Sequence, residues 1–181
     1  FRSECLRAGL AEPYLIGING HVVTQDARSL GFDATLHFMP QLGILENAFV
    51  DGPSNKRAQL NKQLGVENNT AKVYDYKESM QQMLALRESL GHETIPSIFV
   101  GWDNTPRRAE DAIVLTGSQK DTYQATLEKL VGELGGTPHE ERLLFINAWN
   151  EWAEGNHLEP DQAGAHQMLD ATLNALKTQI R

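Results

Sequence analysis

Several features are scarce in this chain of 181 residues, and each scarcity excludes a class of protein. Cys5 is the one cysteine, so the chain can form neither an internal disulfide nor a cysteine-based zinc site. No apolar run approaches the ~18 residues that cross a bilayer, and no signal peptide is visible. Basic residues are also few: 16 Lys and Arg against 24 Asp and Glu give a net charge of −8. We therefore expect no nucleic-acid partner, because binding a phosphate backbone requires a basic face.

The remaining composition is that of a folded domain, with 40% hydrophobic and 22% charged residues. This length suits one domain or most of one. A chain without disulfides suits a reducing compartment, so we expect a cytoplasmic location. The chain begins at Phe1, and residues 1–10 have the pattern of the end of an amphipathic helix. We therefore expect a trimmed or partial polypeptide, and an upstream localisation signal stays open.

Strand-like and helix-like segments alternate along the chain. Short apolar runs predict strands at residues 14–18, 32–38 and 95–100, and a fourth strand that begins at Leu143. Apolar residues at helical spacing predict helices at residues 75–90, 118–134 and 165–180. Asp75 with Glu78 and Ser118 with Asp121 are the expected caps of the first two helices, and the expected apolar stripe of the third is Ala165, Met168, Leu169, Leu173, Leu176 and Ile180. Residues 43–70 are polar and are expected to form an insertion with one helix at residues 55–64.

This alternation predicts an α/β fold of parallel strands with crossover helices. A complete (β/α)8 barrel needs about 250 residues, which is more than this chain offers. We therefore predict that residues 1–181 form a single domain, the C-terminal part of a (β/α)8 TIM-type barrel, without its N-terminal strands.

All three tryptophans follow the ends of predicted strands. Trp102 lies in the motif at residues 101–108, and Trp149 and Trp152 lie in the motif at residues 147–161. The C-terminal ends of parallel strands lie on one face, so the two motifs should line one pocket. An indole can stack on the C–H face of a sugar while amides and charged groups bond its hydroxyls. The candidate sugar contacts are the three tryptophans with Asp103, Asn104, Arg107, Arg108, Asn150, His157 and Glu159.

Glu151 and Glu154 are the candidate catalytic residues. A spacing of three places two side chains on one face of a helical turn. Glycosyl chemistry commonly uses two carboxyl groups, one as an acid and one as a base or nucleophile. An isolated pair at this spacing is common on solvated helices, but its position after a buried strand, beside two indoles, favours catalysis here.

Other side chains have two interpretations each. Arg107 and Arg108 could recognise a substrate phosphate or a donor pyrophosphate, or form a structural ion pair with Asp103 or a glutamate. His157 could be a hydrogen-bonding loop residue or a ligand contact. Two other histidines, His21 and His37, lie near the first strands without the spacing of metal ligands, so a structural role is favoured. Nothing in the sequence demands a metal ion or an organic cofactor.

The two motifs resemble the signature motifs of the WbsX-like glycosyltransferase family, and residues 31–34 followed by Pro40 give a weaker match. That family is found among bacterial polysaccharide and O-antigen genes and is similar to glycoside hydrolase family 99, the endo-α-mannosidases. The resemblance implies a (β/α)8 barrel that acts on α-mannoside-like glycans or on cell-surface polysaccharide.

The resemblance also implies roles for the two glutamates. Glu151 falls on the base that deprotonates the sugar 2-hydroxyl, and Glu154 falls on the general acid/base. The related hydrolases retain configuration through a 1,2-anhydro sugar, so neither carboxylate needs to be a covalent nucleophile. The chain differs from those hydrolases at Ala153, where they usually carry histidine.

Two functions follow as hypotheses. One is a carbohydrate-active enzyme that transfers or hydrolyses a glycosyl unit, with a carbohydrate as its partner. The other is a non-catalytic glycan-binding or scaffolding module of polysaccharide or lipopolysaccharide biosynthesis, which Ala153 and the missing first strands favour. A half barrel has two open sheet edges, so we expect either an edge-to-edge homodimer or the ordered part of a longer chain.

Overall fold

The computed structural model describes residues 1–20, 24–47, 71–109, 112–117 and 119–177. Four features expected from the sequence lie outside these residues: His21, the helix at residues 55–64, the helix cap at Ser118 and the last turn of the final helix at Ile180.

The described chain alternates short strands with helices. Its strands and α-helices follow the order α1 (Arg2–Arg7), β1 (Ile16–Asn19), β2 (Ala34–His37), β3 (Lys72–Asp75), α2 (Tyr76–Glu88), β4 (Ser97–Phe99), α3 (Thr105–Arg108), β5 (Ile113–Thr116), α4 (Gln119–Glu133), β6 (Phe145–Asn147), β7 (Asn150–Glu151), β8 (Asn156–His157) and α5 (Gln167–Lys177). Short 3₁₀ segments lie at Ala27–Leu30, Leu42–Asn47, Leu134–Gly136, His139–Glu141 and Trp152–Glu154.

Four of these strands form a parallel arrangement in the order β1–β2–β4–β6. Strand β1 pairs with β2, and β4 pairs with β6, both in parallel. A parallel bridge between Leu36 and Ile95 joins the two pairs, and the Ile95 N–H donates to the Thr35 carbonyl at 2.7 Å. The prediction of a mixed α/β fold with parallel strands is therefore confirmed. No closed barrel is present within the described ranges.

A second strand pair, β3 with β5, was not predicted. The two strands are parallel, with Val73 opposite Val114, and an antiparallel bridge joins Val114 to Asp103 in the first motif. Each strand has only four residues. Strand β3 also runs directly into α2, whose N-cap Asp75 accepts a hydrogen bond from the Glu78 N–H at 3.0 Å. The sequence predicted the start of this helix from its cap but not the strand that ends at the same residue.

The core lies between the parallel strands and helices α2 and α4. Met80 and Met83 of α2 are buried as their helical spacing predicts. The buried Tyr76 hydroxyl donates to the Phe99 carbonyl of β4 at 2.6 Å, which ties the first turn of α2 to the sheet. This bond fixes the strand end from which the first motif departs.

The stripe expected for the final helix was partly wrong. Leu173 and Leu176 of α5 are exposed, whereas Ala171 and Ala175 are fully buried. A small side chain lets two helix backbones approach closely, and α5 packs along α4, where the Tyr123 hydroxyl contacts the Thr172 hydroxyl at 2.9 Å. Small residues therefore form the buried face of α5, and a prediction based on the spacing of large apolar residues does not identify that face.

Candidate functional site

Two loops meet where β4 and β6 end. The Asp103 N–H of the first loop donates to the Glu154 carbonyl of the second at 2.7 Å. Gly155 follows with φ of +56°, and a Cβ there would lie 3.0 Å from the Asp103 nitrogen. Only glycine accepts this backbone conformation and this approach without strain. The two sequence motifs are therefore in direct contact.

Asn156 provides a second link between the loops, and sequence reasoning did not identify it. Its side chain is fully buried, and its Oδ1 accepts hydrogen bonds from the N–H groups of Val100 at 3.0 Å and Gly101 at 3.4 Å. The sequence carries no local signal for this role, because the backbone partners of the buried amide lie 55 and 56 residues earlier. Asn156 thus fixes the second loop to the end of β4.

The two candidate catalytic carboxylates share one cation. Arg107 Nη1 lies 2.6 Å from Glu154 Oε1 and 3.8 Å from Glu151 Oε1. The side chain of Glu154 is 23% exposed and that of Glu151 is 45% exposed, so both face an accessible surface. Of the two interpretations of Arg107, the structure shows the ion pair with a glutamate. Its neighbour Arg108 is exposed.

Three of the predicted sugar contacts hold the first loop in place. The Asp103 carboxylate accepts from the Thr105 N–H at 3.0 Å and from its hydroxyl at 2.7 Å. The buried Asn104 accepts from the Ile113 N–H at 2.7 Å. Trp102 is only 8% exposed and belongs to the core, so it offers no open face to a sugar in this arrangement. The bridge to β5 turns these side chains inward, and no pattern in the sequence signals that bridge.

The other two tryptophans lie at the surface, where Trp149 is 53% and Trp152 is 48% exposed. The Trp152 ring stacks on the His157 ring, with 3.8 Å between centroids and 19° between planes. Its indole N–H donates to Glu159 Oε2 at 2.8 Å. These two contacts fix the orientation of the indole.

Asp161 orients His157 in turn, because its Oδ2 lies 2.9 Å from His157 Nε2. Hydrogen bonds from the Gly164 N–H and from His157 lower the pKa of Asp161. Asn150 is exposed in β7, directly opposite His157 of β8. His157 thus bonds to Asp161 and supports the Trp152 indole.

His37 lies at the end of β2 and has a structural setting. Its side chain is fully buried, and burial, assisted by the charge of Arg87, lowers its pKa to about 4. The imidazole is therefore neutral near pH 7.

Within the described part of the chain, no group of three or more His, Cys, Asp or Glu residues is placed to hold a metal ion. No helix described here is long and apolar enough to cross a membrane.

Comparison with known proteins adds a family. The model of the family described as "Glycosyltransferase WbsX" matches residues 1–172. Two relatives, each named "Uncharacterized protein WxcX", come from Xanthomonas campestris pv. campestris strains B100 and ATCC 33913. Each is 32% identical over 177 residues, which is 97% of this chain and 24% of the relative. The chain thus spans about a quarter of the length of these relatives. No solved structure matches it significantly.

Proposed function

Because the chain belongs to the WbsX glycosyltransferase family, we propose that it forms the carbohydrate-binding and catalytic face of an enzyme that transfers or hydrolyses a glycosyl unit. One observation carries the proposal: the carboxylates of Glu151 and Glu154 both lie within 4.0 Å of the same Arg107 nitrogen, at the junction of two loops. Two carboxyl groups on one accessible surface can act on opposite sides of one reacting bond.

The proposed chemistry assigns a separate proton to each glutamate. Glu151 takes the proton of the sugar 2-hydroxyl, whose oxygen then attacks C1 as the bond from C1 to the departing oxygen breaks. Glu154 gives its proton to that departing oxygen. Water or an acceptor hydroxyl next attacks C1 and opens the 1,2-anhydro ring, while Glu154 takes the incoming proton and Glu151 returns the first one.

Arg107 has a defined place in this scheme. Its short contact engages Glu154 Oε1 in the structure, and the second oxygen of that carboxyl group is left to meet the glycosidic oxygen when substrate enters. Arg107 then remains near Glu151, and Arg108 beside it is exposed for a phosphate or a donor pyrophosphate on the substrate.

The surface around the carboxylates suits a sugar. Trp149 and Trp152 are each about half exposed, although His157 covers one face of the Trp152 ring. Indole faces stack on the apolar C–H groups of pyranose rings. The family and these rings together support α-mannoside-like glycans or bacterial cell-surface polysaccharide, including lipopolysaccharide O-antigen, as the substrate class.

We also propose that β1, β2, β4 and β6 are part of a (β/α)8 barrel in the complete protein. Strands β1 and β6 each pair with one strand only among the described elements. Ile18 of β1 and Phe145 of β6 are both exposed, which suits strands that meet further apolar surface. The same open edges support a homodimer, and the cytoplasm stays the proposed location.

The test is Glu154→Gln in the complete polypeptide. Turnover of an α-mannoside or polysaccharide substrate should be lost, because an amide cannot donate and recover the proton, while glycan binding persists. The matched control is Glu141→Gln, a charge-neutralising change in the 3₁₀ turn at His139–Glu141. Turnover that survives in the Glu154→Gln protein would refute the assignment.

A second candidate function is a glycan-binding or scaffolding module without catalysis. Ala153 favours it, because this position, one of the two between the glutamates, carries only a methyl group, which cannot assist proton transfer. An oligosaccharide that binds but shows neither release nor transfer over long incubation would support this function instead.

A further inference from the structure

A cavity of about 490 Å³ adjoins the proposed catalytic surface. It lies between the first turn of α4 and the loop that leads from β8 to α5, and both Gly101 and Gly155 line it. Gly155 directly follows Glu154, so the cavity begins one residue beyond the proposed acid. Its volume falls in the range of about 300–1,000 Å³ that is typical of small-ligand sites.

Both donors and acceptors line this cavity. The polar side chains that line it come from α4, from β8 with its loop and from α5: Gln119, Lys120, Asp121, His157, Glu159, Asp161 and Gln167. Lysine and glutamine amides donate, whereas carboxylates accept. Every sugar hydroxyl is both a donor and an acceptor, so a mixed lining of this kind fits a polyhydroxylated ligand better than an ion of either sign.

One residue of the lining has unused hydrogen-bonding capacity. His157 Nδ1 is buried, and the described residues provide no hydrogen-bond partner for it. The other ring nitrogen is engaged by Asp161 at 2.9 Å, which holds the ring. A buried polar atom without a partner is costly. Nδ1 is closed to solvent in this structure, so a ligand hydroxyl would reach it as the cavity wall opens.

The cavity is also connected to the aromatic surface. His157 lines the cavity and stacks on Trp152. Glu159 lines it too and accepts from the Trp152 indole N–H. A ligand that contacts His157 and Glu159 therefore contacts the two groups that hold the indole.

We propose that this cavity, with Lys120 and Gln167 on its wall, binds a second, neutral sugar unit of the same glycan chain whose neighbouring unit lies at Glu151 and Glu154. The inference rests on the proposed function, since the second unit has meaning only if a glycan is bound. It makes the chain selective for oligosaccharides over monosaccharides.

The test uses the complete polypeptide and a ladder of α-linked mannose oligosaccharides of one to four units, with affinity measured by isothermal titration calorimetry. The variants are Lys120→Met and Gln167→Leu, which remove polar groups from the cavity wall. Lys77→Met and Gln81→Leu are matched controls on α2, where both side chains are exposed. Thermal unfolding checks that all four variants are folded.

We expect the unaltered protein to bind longer oligosaccharides more tightly than mannose. Each cavity variant should lose about 3- to 10-fold of the affinity for the longer sugars, as expected for one lost hydrogen bond, while its affinity for mannose and the behaviour of both controls stay unchanged. Affinity for long sugars that both cavity variants preserve, or an equal loss at every length, would overturn the second site alone. An unaltered protein that binds no member of the ladder would overturn the second site together with the proposed function.

Discussion

Replacing Asn156 by alanine should loosen the junction of the two loops. The substitution removes a fully buried Oδ1 that accepts from two backbone N–H groups. The Val100 N–H keeps a contact with the Asn147 carbonyl at 3.1 Å, so the Gly101 N–H alone loses its acceptor. Leaving one buried donor unpaired costs about 1–3 kcal/mol, and we expect the free energy of unfolding to fall by about 2 kcal/mol.

Thermal unfolding measures this change directly. For a domain of this size, each 1 kcal/mol lowers Tm by roughly 2–4 °C, so Asn156→Ala should unfold roughly 4–8 °C below the unaltered protein. The matched control is Asn174→Ala on the exposed face of α5, where Tm should not fall. An unchanged Tm for Asn156→Ala would refute the argument that Asn156 links the loops.

Asn156→Asp sharpens the same prediction. Asn156 Nδ2 is buried and has no hydrogen-bond partner in the described ranges, so an aspartate there would bury a negative charge whose second oxygen has no donor. Burial raises the pKa of such a carboxyl. A raised folded-state pKa means that stability is present at low pH and is lost as pH rises through that pKa. The Asp variant should therefore approach the unaltered protein in Tm at pH 4 and fall far below it at pH 8.

Three further predictions concern the loops and the sheet edges. Gly155→Ala should lower the free energy of unfolding by about 1–3 kcal/mol, because Gly155 has a positive φ and lies close to Asp103. Gly136→Ala should leave the free energy of unfolding unchanged, because the space around its Cβ position is open. Thermal unfolding of the two variants tests this difference. Asp161→Asn should lower Tm at neutral pH. The lowered pKa of Asp161 means that this difference must shrink as pH falls below about 3.9, and a constant difference would contradict it. A protein made only of these 181 residues should associate through its open edges, and Ile18→Lys should weaken the association; a monodisperse monomer in light scattering would count against this.

Local signals in the sequence predicted the elements that carry the site. The apolar runs before Gly101 and before Trp149 fixed two strands, and the parallel order of strands followed from the helices between them. Asp75 identified its helix start because a cap is read from two nearby residues. These features depend on spacing along the chain, so one sequence suffices to find them.

Features that depend on contacts between distant residues were not predictable in this way. In strand β5, Val114 pairs with Val73 of β3 and forms a bridge with Asp103 of the first motif. These three residues are well separated along the chain, so no local pattern predicts their pairing. Next to this bridge, Trp102 is buried in the core and the Asn104 side chain accepts a hydrogen bond from the Ile113 N–H. The role of Asn156 was missed for this reason too, since its partners lie 55 and 56 residues earlier.

The backbone hydrogen bond from Asp103 to Glu154 limits how the two loops can change in length during evolution. Inserting one residue into either loop displaces the chain by up to ~3.6 Å, which exceeds the ~2.6–3.2 Å over which a proton can be passed between heavy atoms. The number of residues from Gly101 to Asn104, and from Glu151 to Gly155, is therefore expected to stay constant. Under the proposed function, relatives that bind a different glycan should therefore differ in the side chains around this backbone frame and not in the length of the two loops.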